Sequence, residues 1–130
     1  MLRLISMIII TLLLIGCGIA EELFVRNTIH TLNTHAKVLD SLIEENEEDL
    51  NIPEIKEEYG KIKSFWNKTE HVLTYIVNFE KIRAIGEAVI KLEGAITQND
   101  FSVAVENIKL IINYSENLSY VMGGDISNIL

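Results

Sequence analysis

Twenty residues carrying a single charge open this chain, and no other stretch restricts its fold so tightly. Met1 to Ala20 reads MLRLISMIIITLLLIGCGIA, with Arg3 its only charged side chain. A helix of that length rises about 30 Å, the thickness of a bilayer's hydrocarbon core, so the segment is long enough to span with Arg3 snorkelling to the head groups. Glu21 and Glu22 follow at once and mark the end of the apolar run. The remaining residues, 21–130, are enough for one small domain with one core.

Charge and cysteine content narrow the class of that domain. All 19 acidic residues lie beyond Ala20, against 10 of the 11 Lys and Arg, which leaves 21–130 at a formal charge of −9. Such a surface repels phosphate backbones, so nucleic acid is not an expected partner. The single proline and scattered glycines give no low-complexity linker or repeat. Cys17 is the only cysteine, so no intrachain disulfide can form and stability must come from packing.

The apolar head supports two readings. As an uncleaved signal-anchor it is a transmembrane helix in which Ser6 and Thr11 bond back to helix carbonyls and Gly16, Cys17 and Gly18 are small residues that a membrane helix tolerates. As a lipoprotein signal, Leu14-Ile15-Gly16-Cys17 resembles a bacterial lipobox, with Cys17 the candidate lipidation site and residues 1–16 removed. The anchor is favoured because no polar, flexible tether follows Cys17. In both, residues 21–130 form an extracytoplasmic helical domain. Arg3 before the span favours the N-terminus inside and the C-terminal domain outside.

Beyond the head the helical period resumes without a gap. Val25, Ile29, Leu32, Ala36, Leu39 and Ile43 recur at steps of four and three, so the membrane helix is predicted to run on to about Asn46. Glu44, Glu45, Glu47, Glu48 and Asp49 then crowd together, and carboxylates at a helix C-terminus oppose its partial negative charge. The helix should fray and turn there. A calcium loop is disfavoured because the alternating aspartate pattern and its glycine are absent.

Asn51-Ile52-Pro53-Glu54 marks the next start: Asn51 or Ile52 at the cap, Pro53 in the first turn, and Glu54, Glu57 and Glu58 at the positive end. Ile55, Tyr59, Ile62, Trp66, Thr69, Leu73 and Ile76 carry the second stripe, with a break expected at Asn78. Ile82, Ile85, Val89, Leu92 and Ile96 carry the third, and close approach of a neighbouring helix is the expected reason for Gly86 and Gly94 beside it. Gln98-Asn99-Asp100 reads as a turn with Asn99 left-handed and Asp100 capping the last helix. That helix carries Phe101, Ala104, Val105, Ile108, Ile111, Ile112, Ser115 and Leu118, and is expected to stop at Gly123-Gly124, its short tail folding back on the bundle. The short connections imply an all-α fold: an N-terminal membrane helix continuing into an antiparallel bundle of about four helices.

The order of these parts carries a resemblance. The apolar head, then Gly18-Ile19-Ala20-Glu21-Glu22-Leu23-Phe24-Val25-Arg26-Asn27-Thr28, a helix containing Trp66, Phe79-Glu80-Lys81-Ile82-Arg83-Ala84-Ile85, the Asp100 turn and the terminal Ser127-Asn128-Ile129-Leu130 resemble the family named domain of unknown function 4363. The likeness covers nearly the whole chain. It implies a small membrane-anchored helical protein of Gram-positive bacteria, and it brings no activity or catalytic residue with it.

A search for chemistry returns little. His30 and His35 are five residues apart and point about 140° from each other on a helix, so they cannot share a metal. His71 beside Glu70, with Tyr75 one turn on, suggests a local hydrogen bond more than a general base. No zinc-protease, phosphate-loop or nucleophile-elbow motif is present. No catalytic, cofactor or metal residue is therefore assigned. The expectation is a non-enzymatic, membrane-tethered interaction module of the bacterial cell envelope that meets membrane lipid through its head. It would meet an envelope protein, or itself, through an apolar stripe or its acidic face. The alternative is a lipoprotein, lipid-anchored at the outer face through Cys17, with a small-ligand or metal-binding pocket between helices near Trp66. An enzyme would need a cleft gathering Glu70, His71 and another carboxylate.

Overall fold

Where the apolar period breaks, the backbone turns. The computed structural model describes residues 1–76 and 79–129, with residues 76, 79 and 119–129 by backbone alone, and contains four helices: α1 (Leu2–Glu45), α2 (Pro53–Ile76), α3 (Phe79–Thr97) and α4 (Phe101–Ile129). Asn78, the expected break between α2 and α3, and Leu130 lie outside the described residues, as does the side chain of Ile76.

The first helix has two halves with opposite surroundings. Residues 1–21 are exposed along the whole apolar run, whereas Val25, Thr28, Ile29, Leu32, Ala36, Leu39 and Ile43 are buried. One unbroken helix of about 66 Å thus joins an uncovered apolar rod to one edge of a packed core. Ser6 and Thr11 donate to Leu2 O and Met7 O at 2.9 and 2.8 Å, which hides their hydroxyl protons inside the rod.

Local chemistry accounts for the helix ends at the α1–α2 and α3–α4 turns. The Asn46 backbone N–H donates to Ile43 O at 3.2 Å and its side chain donates to Leu42 O at 2.9 Å, closing α1 just where the acidic run begins. At α2 the carbonyl of Ile52 accepts the first helical bond from Lys56, at 3.2 Å, so Ile52 is the cap. Asn51 instead donates its backbone N–H to Asp49 Oδ1. Asn99 takes a left-handed backbone, φ 55°, and Asp100 N donates to Ala95 O while Asn99 N donates to Ile96 O, the paired reversal of a Schellman cap. Asp100 then caps α4 by accepting from Val103 N at 3.2 Å.

The helices pack in a ring, α1 on α2, α2 on α3, α3 on α4 and α4 on α1, with no diagonal pair among the described residues. Short turns make every neighbour antiparallel. All the stripe residues of α3 and the stripe Ala104, Ile108, Ile111, Ser115 and Leu118 of α4 are buried. Leu50 joins them from the α1–α2 turn, where no period could flag it. Two expectations are corrected. The last helix does not stop at Gly123-Gly124 but continues to Ile129, so no tail folds back. Two glycines cost a helix about 2 kcal/mol relative to alanine, but a stop also needs a reversal, and among the described residues no glycine takes the positive φ that Asn99 uses. Close approach holds for Gly86 alone: a Cβ there would lie 3.3 Å from Trp66 Nε1, while one at Gly94 would meet nothing within 4 Å.

Candidate functional site

Between α2 and α3 the ring leaves a cleft of about 250 Å³. Its α2 wall comes from Tyr59, Lys63, Trp66, Glu70 and Thr74, one helix face at steps of three and four. Its α3 wall comes from Ile82, Gly86, Val89 and Glu93 on the matching face. Trp66 lies deepest. It is 2 % exposed, it sits against Gly86, which has no side chain, and its buried Nε1 proton has no acceptor among the described residues. A buried indole N–H without a partner is uncommon, because the lost hydration goes uncompensated.

Charge is arranged around the rim. Lys63 Nζ lies 3.0 and 3.1 Å from the two oxygens of Glu93, and Arg83 Nε lies 3.3 Å from Glu87 Oε1. The Tyr59 hydroxyl is 3.1 Å from Val89 O and 3.2 Å from Glu93 Oε2, so its one proton is shared between two acceptors. Burial pushes the Tyr59 phenol well above the usual tyrosine range, and the neighbouring Glu93 charge and hydrogen bond add to this. Hydrogen bonding to Lys63 holds the Glu93 carboxyl below its ordinary value, outweighing desolvation. The arrangement can hold a small polar group over an apolar floor. It lacks a nucleophile paired with a base.

Elsewhere the structure pairs side chains that the sequence left apart. His35 Nδ1 lies 2.8 Å from Glu58 Oε1, joining α1 to α2, and Glu58 is buried there instead of standing free at the helix start. Asn33 donates to Ser115 Oγ at 2.9 Å, and Lys109 donates to Asp40 at 2.8 Å and Glu44 at 3.3 Å, joining α1 to α4. Those two hydrogen bonds hold the Lys109 ammonium above its ordinary value. No signal in the sequence could have matched partners this far apart along the chain.

The residues singled out from sequence fall as follows. Cys17 is a free, exposed thiol on the apolar half of α1. His30 is exposed and stands apart from His35. His71 meets Tyr75 edge to face, ring centroids 6.3 Å apart, and no hydrogen bond joins them. Glu70 lines the cleft with Glu87 and Glu93, but His71 does not, so the trio that would mark a catalytic site is not assembled. Among the described residues no three His, Cys, Asp or Glu side chains converge as a metal site would require.

The family model described as Domain of unknown function (DUF4363) matches residues 23–129, all but the first 22 residues and the final one. The chain belongs to the DUF4363 family. No curated protein and no solved structure matches it. The DUF4363 match begins inside α1, two residues before its first buried residue, Val25, and takes in the rest of the bundle. Among the described residues of this DUF4363 protein, one helix, α1, is long and apolar enough to cross a membrane.

Proposed function

We propose that this DUF4363 protein is a non-enzymatic interaction module of the bacterial cell envelope, held by its N-terminal segment as a single-pass protein with the C-terminal domain outside. One observation carries the reading: α1 runs unbroken from an apolar rod that is exposed among the described residues into a stripe that the bundle buries. An uncovered rod of this length is costly in water, at roughly 25 cal/mol per Å² of apolar surface, and a bilayer removes the cost. Most of the stripe residues whose side chains are described are already used in the core, and the acidic turn around Glu44 to Asp49 is a surface that suits a basic partner.

Alkaline extraction of membranes followed by cross-linking tests this. The protein should stay with the lipid and yield one cross-linked species, a partner or a second copy. Release into the wash, or monomer alone, overturns it. Intact mass then separates the two tethers, since an unmodified full-length chain excludes acylation at Cys17.

A second reading is favoured by the partnerless Trp66 N–H in the α2–α3 cleft, which suits a small ligand bearing a hydrogen-bond acceptor. Trp66 fluorescence titrated with envelope metabolites and divalent metals tests it, and a flat response removes it.

A further inference from the structure

We propose that the bundle does not stand clear of the bilayer on its anchor but is seated in the lipid head-group layer, through Leu23 and Phe24 of α1 and Val72 and Tyr75 of α2. The proposal rests on the tethered reading and adds to it a surface, a depth and a partner, lipid.

Fixed pairs set the relative heights of the antiparallel helices. His35 and Glu58 touch at 2.8 Å, so they stand level. From Glu58, α2 descends about 26 Å to Tyr75 at 1.5 Å per residue, and the same distance from His35 toward the N-terminus reaches Gly18. The final turn of α2 is therefore level with the end of the apolar head. On α4, Asn33 and Ser115 touch at 2.9 Å, and the helix continues another 21 Å or so to Ile129, level with Ile19. The ends of two further helices thus reach the height at which a membrane-embedded head would emerge.

The side chains exposed at that height are of the matching kind. Tyr75 is 85 % exposed, Leu23 55 %, Val72 43 % and Phe24 40 %. Among the residues whose side chains are described, half of the large apolar ones exposed outside the head lie in this narrow band. The others, Val38, Ile90, Val103 and Leu110, are spread along the bundle. An aromatic ring with one polar atom is favoured at the boundary between acyl chains and head groups, where Tyr75 can bury its ring and keep its hydroxyl wet. The acidic turn from Glu44 to Asp49 lies at the opposite end, about 36 Å further along α1 from Glu21, well beyond the screening length of an anionic lipid surface.

Nitroxide labels on the full chain, reconstituted in phosphatidylcholine and phosphatidylglycerol vesicles, test the seat. Cys17→Ser supplies the background, Tyr75→Cys carries one label and Val103→Cys, at the far end, carries the control. Both positions are exposed, so neither label disturbs the core. The ratio of collisions with lipid-soluble oxygen to collisions with an aqueous nickel complex should be several-fold higher at position 75 than at 103. Equal ratios in chains that float with the vesicles overturn the seat and leave the tether standing. Chains that do not float overturn the tether as well.

Discussion

Asn99 joins the two turns at the far end of the bundle, and its replacement separates two effects. Its side-chain oxygen accepts from Leu50 N at 2.7 Å and its amide donates to Glu48 O at 3.0 Å, while its own backbone is left-handed at φ 55°. Leu50 is fully buried, so losing the acceptor strands an N–H at the edge of the core. With about 1 kcal/mol for each net hydrogen bond, the latch contributes about 2 kcal/mol. Asn99→Ala loses the latch and adds about 1 kcal/mol because alanine lacks the short polar side chain that favours asparagine in the left-handed region, a loss of about 3 kcal/mol in all. Asn99→Gly loses the same latch but relieves the backbone, a net loss of about 1 kcal/mol. At about 4 °C per kcal/mol for a domain of this size, melting should fall by about 12 °C for alanine and 4 °C for glycine. Helical circular dichroism of the full chain in detergent reads both. A glycine variant as stable as the parent would refute the latch, and an alanine variant equal to glycine would refute the backbone cost.

Gly94→Ala should stabilise by about 1 kcal/mol, because it gains helix propensity and meets no atom. Gly86→Ala has the same gain offset by the 3.3 Å contact with the buried Trp66 ring, so it should be neutral or destabilising; equal melting shifts for the two would contradict the close approach. Leu50→Ala should cost about 3 kcal/mol although it lies in a turn, whereas Val38→Ala, 46 % exposed within α1, should cost under about 0.5 kcal/mol, as urea midpoints will report. Stability should also fall at both pH extremes. The lowered Glu93 carboxyl contributes above its usual 4.5 and loses this as pH drops through its folded value. The raised Lys109 contributes below its usual 10.5 and loses this as pH climbs through its folded value, while the raised Tyr59 favours the unfolded chain once pH passes 10.0. A urea midpoint that stays level below pH 4.5, or rises above pH 10.0, contradicts these linkages.

What the sequence alone determined is what neighbours along the chain can settle. The steps of four and three put Val25 through Ile43, Ile55 through Leu73 and Ile82 through Ile96 on the buried faces, because a helix places such residues on one side whatever it packs against. Asn99 and Asp100 were legible for the same reason, since a cap is made from adjacent backbone. The candidate site was legible only as Trp66 and Glu70 on one stretch of helix. Gly86 and Glu93, which complete the cleft, come from a different helix. Tertiary structure alone chose Glu58 for His35 and Asp40 for Lys109, buried Leu50, and gave Gly86 a close neighbour that Gly94 lacks. It also brought the end of α2 level with the end of the apolar head. Each of these depends on the height at which one helix stands beside another, and helical period specifies a face but not a height.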